Sequence, residues 1–125
     1  MKTRAFDPIE KRWRTDYVVV PDGTIHRVFR SDNGVEYMDF YEIAEHVDWK
    51  LSRFTGLRDN DNQMVWEYDI YEHLRFKFVV RLHNGTFVLM HISGNVANQS
   101  IWAVRHLHKL GDIFQNPELL EEVNR

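Results

Sequence analysis

Residues 74–92 constrain this chain more than any other stretch. Leu74 to Leu82 alternates, with Phe76, Phe78, Val80 and Leu82 on one side and Arg75, Lys77, Val79 and Arg81 on the other. Strand side chains repeat every two residues, so the run reads as a strand with one apolar face. His83-Asn84-Gly85 follows, and Thr86 to Ile92 returns as its partner. Asn-Gly between alternating runs is a hairpin signal, because a tight hairpin turn needs positive φ at both central residues. A hairpin of this kind must pair further and cover its apolar face, which directs the chain toward a β-rich fold.

The remaining segments supply those strands. Phe6, Ile9 and Trp13 stand among charges, and a short strand is expected before a turn at Asp7-Pro8. Tyr17 to Val20 is short and β-branched, Pro21-Asp22-Gly23 is a turn, and Ile25 to Phe29 returns before Asp32-Asn33-Gly34 turns again. Gly56 and the polar run Arg58 to Gln63 form a loop. From Trp66, alternation places Trp66, Tyr68 and Ile70 on one face and Glu67, Asp69 and Tyr71 on the other. Ser93 to Ser100 is a polar loop, and Ile101 to Leu110 reads as a further strand ended by Gly111.

Two segments depart from the strand period. Phe40, Ile43, Ala44, Val47 and Leu51 share one helical face, so an amphipathic helix is expected over Asp39 to Leu51, with Asp39 as its cap and Glu42 completing a capping box. Asn116-Pro117-Glu118 starts a short helix, with Asn as cap and Pro at the first helical position; Leu119, Leu120 and Val123 are its apolar contacts.

A chain of 125 residues fits one domain and buries roughly two-thirds of its unfolded surface, so it needs neither disulfide nor metal to fold. The absence of cysteine excludes a disulfide scaffold, a thiolate zinc site, an iron–sulfur cluster and a cysteine nucleophile. A net charge of −3 gives no whole-domain pull toward nucleic acid. No apolar run reaches the ~20 residues of a membrane-spanning helix. Met1 to Arg14 is charged and broken by Pro8, without the apolar core of an export signal, and the reading is cytoplasmic, with no membrane partner.

Phe54-Thr55-Gly56-Leu57-Arg58-Asp59 followed by Trp66-Glu67-Tyr68-Asp69-Ile70 resembles a "tyrosine or phenylalanine–T-G-L-K-D … Y-E-G-D-I" core. Leu110-Gly111-Asp112-Ile113-Phe114-Gln115-Asn116-Pro117-Glu118-Leu119-Leu120 is similar to an "I-G-N-I-Y-E-N-P-E-L-L" close, and Lys2 to Asp7 looks like a "K-F-R-A-W-D" opening. These are the three signatures of the YopX family, small proteins of phages and prophages. The likeness covers the first dozen residues and about 50–122. It implies an all-β core with an SH3-type barrel in the C-terminal half, a phage or prophage origin, and no catalytic residue to carry over. Where the family pattern has Gly, this chain has Tyr68, which predicts a more regular strand at that point.

The chemical candidates are few. His106-x-His108 on a strand would share a face near Asp112, the outline of a two-histidine, one-carboxylate metal site. Without a second cluster in support, no metal or cofactor is assigned. Glu67 with Asp69, and Asp59 with Asp61, are the carboxylate pairs, but acid–base work needs a pocket that separates two pKa values. Asp59-Asn60-Asp61-Asn62 lacks the Gly and distal Glu of a calcium loop. No catalytic residue is assigned, and the reading is non-enzymatic.

Two binding surfaces remain. Arg75, Lys77 and Arg81 line one strand face, while Arg12-Trp13-Arg14 and Arg27-Phe29-Arg30 interleave cations with aromatics, so single-stranded nucleic acid is the alternative partner. In that strand Phe76 and Phe78 face away from the cations, as core, and Glu67 and Asp69 are expected beside Arg75 and Lys77. The favoured surface is a protein interface. Trp13, Trp49, Trp66 and Trp102 exceed what one small core face can bury, and aromatics with Arg anchor interfaces. Trp13 and Trp102 are the candidate anchors, Trp102 because it lies off the face of Ile101, Ala103 and Leu107.

The expected architecture is a single chain over 1–125, mainly β. It comprises an N-terminal α+β portion (1–50) and an SH3-like barrel portion (51–125) closed by a short helix. The expected role is a phage accessory protein acting by protein contacts, as a homo-oligomer or with a host or phage protein.

Overall fold

A computed structural model describes residues 3–14, 17–19, 25–30, 36–41 and 50–121. Among these the chain is mainly β with curled sheets. It divides into two units, Met1–Arg53 and Phe54–Arg125.

In the first unit, β1 (Thr3–Asp7) pairs antiparallel with β2 (Arg12–Arg14), with Phe6 opposite Trp13. The turn at Pro8 forms as expected. The Asp7 carboxylate accepts the N–H groups of Ile9 (2.9 Å) and Glu10 (3.2 Å), the Asx-type cap that short acidic side chains provide. On its other side β1 pairs with the beginning of β6 (Lys50–Arg58). A separate meander joins β3 (Tyr17–Val19), β4 (Ile25–Arg30) and β5 (Glu36–Tyr41). The strands expected at Tyr17 and Ile25 are therefore present, while both intervening turns lie outside the described residues.

The helix expected over Asp39 to Leu51 has neither of its ends. Asp39 and Phe40 lie in β5, where Asp39 stands opposite Arg27, and Leu51 lies in β6. Asp39 is a ladder residue rather than a cap. Residues 42–49, with Glu42 and Trp49, lie outside the described residues.

In the second unit, β6 continues through Gly56, whose φ of +87° accompanies a register shift against β7 (Met64–Trp66). Gly56 thus bends a strand rather than opening a loop. A five-stranded antiparallel sheet follows. Its order is β11 (Gln99–Ser100), β10 (Thr86–His91), β9 (Phe76–His83), β8 (Asp69–His73), β12 (Lys109–Asp112). The Asn84-Gly85 hairpin joins β9 and β10 in the expected register, with His83 opposite Thr86.

Tyr71, Phe78, Val80 and Leu89 share one face of this sheet and are fully buried with Val65 and Val104. Covering these side chains contributes about 1.5–3 kcal/mol for each large apolar residue. Ile101, Ala103 and Leu107 pack against the same cluster.

Three local expectations change. Trp66 to Tyr71 is not one strand, because the chain turns at Glu67-Tyr68 between β7 and β8. Tyr68 takes φ +77°, so the turn persists with Tyr where the family pattern has Gly. Ile101–His106 is a 3-10 helix, opened by Ser100 Oγ accepting the Trp102 N–H (3.3 Å), not a strand. Leu74 belongs to a turn with Arg75, and β9 begins at Phe76. At the C-terminal end Pro117–Leu120 forms a 3-10 turn with Pro in its first positions; its N-cap residue Asn116 makes no side-chain capping bond. Leu119 is half-buried, Leu120 is exposed, and Val123 lies outside the described residues.

Candidate functional site

The core and closing sequence signatures meet in the second unit, and each is built around a buried acidic side chain. Thr55 Oγ1 donates to the Val65 carbonyl (2.8 Å) and accepts the Leu57 N–H (3.2 Å), which holds the bend at Gly56. The strand ends at Asp59, a buried carboxylate. Its Oδ1 accepts the N–H groups of Asp61 (2.9 Å) and Gln63 (3.0 Å), and its Oδ2 accepts the Tyr71 hydroxyl (2.9 Å). With every partner supplied by protein, Asp59 fastens the 59–63 loop to β8. Burial, reinforced by Asp69 and by the hydrogen bond to Asp59, pushes the Tyr71 hydroxyl far above its ordinary range, so it stays a neutral donor.

Asp69 opens β8 and is buried. Its Oδ2 accepts the Trp66 N–H across the turn (2.8 Å) and lies 3.0 Å from Lys109 Nζ, which also donates to the Met64 carbonyl (2.8 Å). The ammonium group ties β12 to both β7 and β8. At Asp112 the carboxylate accepts from Phe114 and Gln115 (both 2.9 Å), and Asn116 Oδ1 accepts the Asp112 N–H (3.2 Å). A Cβ on Gly111 would collide with that Asn116 amide, so Gly is required here by close approach.

The exposed dyad is His108 with Asp61. His108 Nδ1 lies 2.8 Å from Asp61 Oδ2, and Nε2 lies 3.3 Å from the Asn60 amide nitrogen. The ring nitrogens face a carboxylate and an amide, and no hydroxyl among the described residues is hydrogen-bonded to them. A nucleophile–base arrangement needs a hydroxyl or thiol at one of them. Among the described residues no three His, Asp or Glu side chains gather around one point. His106 ends the 3-10 helix and His108 follows it, so the shared strand face does not form.

The two favoured anchors differ in setting. Trp13 is half-buried, edge-on to Phe6 (5.2 Å) with the Arg4 guanidinium 3.8 Å above its ring. Trp102 is 60% exposed on the 3-10 helix, two residues before the fully buried Val104. Trp66, by contrast, is buried against Phe54 (5.5 Å).

The three cations do not share one strand face. Arg75 is in the turn, while Lys77 and Arg81 share a face of β9 with Val79 between them. The expected partners of these cations are wrong as well. Glu67 is buried in its turn, Asp69 belongs to Lys109, and Glu72 stands opposite Lys77. The Arg81 guanidinium stands 5.4 Å from the Tyr68 ring, itself edge-on to Phe114 (5.2 Å). Arg12 and Arg14 both pair with Glu10 (2.6 and 2.9 Å), and Arg14 lies 3.5 Å from Asp7, so two carboxylates offset the two cations of that stretch.

The sequence reading also missed an exposed pair. Leu74 is 64% and Phe76 43% exposed at the tip between β8 and β9, where Phe76 was expected in the core. No local signal marked it, because the turn at Leu74-Arg75 has neither Gly nor Asn at its positive-φ positions.

These features define a small, mainly β protein in which the signature residues brace strands. The family model described as YopX protein matches residues 2–121, and the chain belongs to the YopX family. The fold is similar to that of protein EF1440 from Enterococcus faecalis (21% identity, TM-score 0.65), covering 96% of this chain and 97% of that one. It is also similar to protein yopX from Bacillus subtilis (18% identity, TM-score 0.58), covering 98% of this chain and 97% of that one. The comparison with curated proteins finds no match.

Proposed function

We propose that this YopX-family chain is a non-enzymatic accessory protein of a phage or prophage. It works in the cytoplasm of a bacterial host through protein contacts, as a homo-oligomer. Residues 51–115 act as an SH3-like barrel, with the Pro117–Leu120 turn closing it. The antiparallel run β8–β9–β10, flanked by β11 and β12, supports that reading.

One observation carries the proposal. Trp102 is 60% exposed on a helix fixed to the core by Val104. A rigidly mounted exposed indole loses little conformational freedom on binding, and such residues dominate interface energies. The test is the solution mass by light scattering. The wild type should exceed the mass of one chain, and Trp102→Ala should lower it. A single-chain mass for the wild type would refute the proposal.

Nucleic acid is the second reading, favoured by Lys77 and Arg81 on one face with Arg81 over the Tyr68 ring. Its test is anisotropy of labelled single strands at low and physiological salt. Binding should weaken steeply with salt and on replacing both cations by Ala.

A further inference from the structure

Among the described residues two hairpins have two-residue turns, and they are built from opposite kinds of residue. Between β9 and β10 the turn is Asn84-Gly85, with φ of 50° and 81°. Between β8 and β9, His73 stands opposite Phe76, and the turn is Leu74-Arg75, with φ of 54° and 72°. That left-handed conformation suits Asn and Gly and is strained for Leu and Arg. A strained pair of this kind points to a requirement for its side chains rather than its backbone.

Those side chains form a mixed tip. Leu74 and Phe76 are exposed and apolar, while the side chains of Arg75 and Lys77 have no hydrogen bond or ion pair among the described residues. Phe76 stands edge-on to His91 (5.5 Å), which stands on the buried Phe78 (5.7 Å), so the tip is propped on the core. The complementary chemistry is an acidic surface with an exposed aliphatic group. The 3-10 turn Pro117–Leu120 and its cap have that composition, with Glu118, Leu120 and Glu121 all exposed.

The two features lie at opposite ends of β8. β12 runs antiparallel to β8 with Asp112 beside Asp69, and Asn116 N–H donates back to the Asp112 carbonyl (2.9 Å). The Pro117 turn therefore follows from the start of β8, while the Leu74-Arg75 tip lies beyond its end, about 16 Å away along the strand. One chain cannot close this pair on itself.

We infer that the Leu74–Lys77 tip of one copy docks on the Pro117–Glu121 turn of a second copy, head to tail. The inference rests on the self-association reading above and names a second contact within it. Different surfaces meet, so the interface repeats until it closes a ring or extends a filament.

Charge reversal tests it on the full chain. Arg75→Glu/Lys77→Glu makes both ends acidic, and Glu118→Arg/Glu121→Arg makes both ends basic. Each variant alone should lose mass in light scattering, and mixing the two should restore assembly, because every acidic end then meets a basic one. Restoration also shows that both variants are folded. If the wild type and both reversed variants share one multimeric mass while Trp102→Ala lowers it, the head-to-tail contact is wrong and the self-association reading stands. A wild type that is a single chain at every concentration overturns both.

Discussion

The Tyr71 hydroxyl donates to Asp59 Oδ2 at 2.9 Å in the interior of the second unit, joining the end of β6 to the middle of β8. Asp59 closes the first half of the family core motif, and Tyr71 directly follows its second half. Removing the hydroxyl leaves a buried carboxylate oxygen without this donor. Tyr71→Phe should therefore cost about 1–3 kcal/mol in denaturant unfolding.

The same pair predicts a pH dependence. The folded-state pKa of Tyr71 is raised above its ordinary value of 10.0, so the folded chain holds that proton more tightly than the unfolded chain. Its contribution is complete below about pH 10 and is lost as pH rises through the range above, by at most ~1.4 kcal/mol per pH unit. The difference in stability between wild type and Tyr71→Phe should shrink above pH 10. A difference that holds constant there would contradict the assignment.

Tyr68 combines an unfavourable backbone with favourable ring contacts to Phe114 and Arg81. Tyr68→Ala keeps the strain and loses the ring, whereas Tyr68→Gly loses the ring and relieves the strain. The Gly variant should be the more stable of the two by about 1 kcal/mol or more. Thermal melts of the pair would show the order directly.

Lys109 Nζ lies 3.0 Å from the Oδ2 of the buried Asp69. Lys109→Met removes that partner and leaves a buried carboxylate, which should cost about 3–5 kcal/mol. At the next turn, Gly111→Ala should cost about 1–3 kcal/mol through collision with Asn116. The loss should be smaller in an Asn116→Ala background, and a double-mutant cycle measures the coupling.

Much of this fold was legible where turn chemistry is explicit. Asn84-Gly85 gave its hairpin, Asp7-Pro8 its turn, and Tyr17 and Ile25 their strands. The failures fall where the sequence carries no such marker. Glu67-Tyr68 and Leu74-Arg75 turn without Gly or Asn at the positive-φ positions, so alternation ran straight through them. Phe40 and Leu51 fit a helical face by spacing, yet they lie in strands. Ile101–His106 shows the converse, a short apolar run that fits strand and 3-10 helix equally well.

The family signatures were recognisable as sequence, but their meaning was not. Asp59 with Tyr71 and Asp69 with Lys109 are pairs made by the strand order, which no local pattern encodes. Trp102 was placed off its apolar face for a strand, and the helix leaves it exposed by a different geometry.

The proposed self-association requires exposed aromatics to carry the contacts between copies. Sedimentation equilibrium of the full-length wild type over a concentration series tests this most directly, with Trp13→Ala and Trp102→Ala run beside it. The expected result is a multimer that dissociates on dilution and is weakened by Trp102→Ala, with a smaller effect at the half-buried Trp13. A wild type that sediments as one chain throughout would contradict the account.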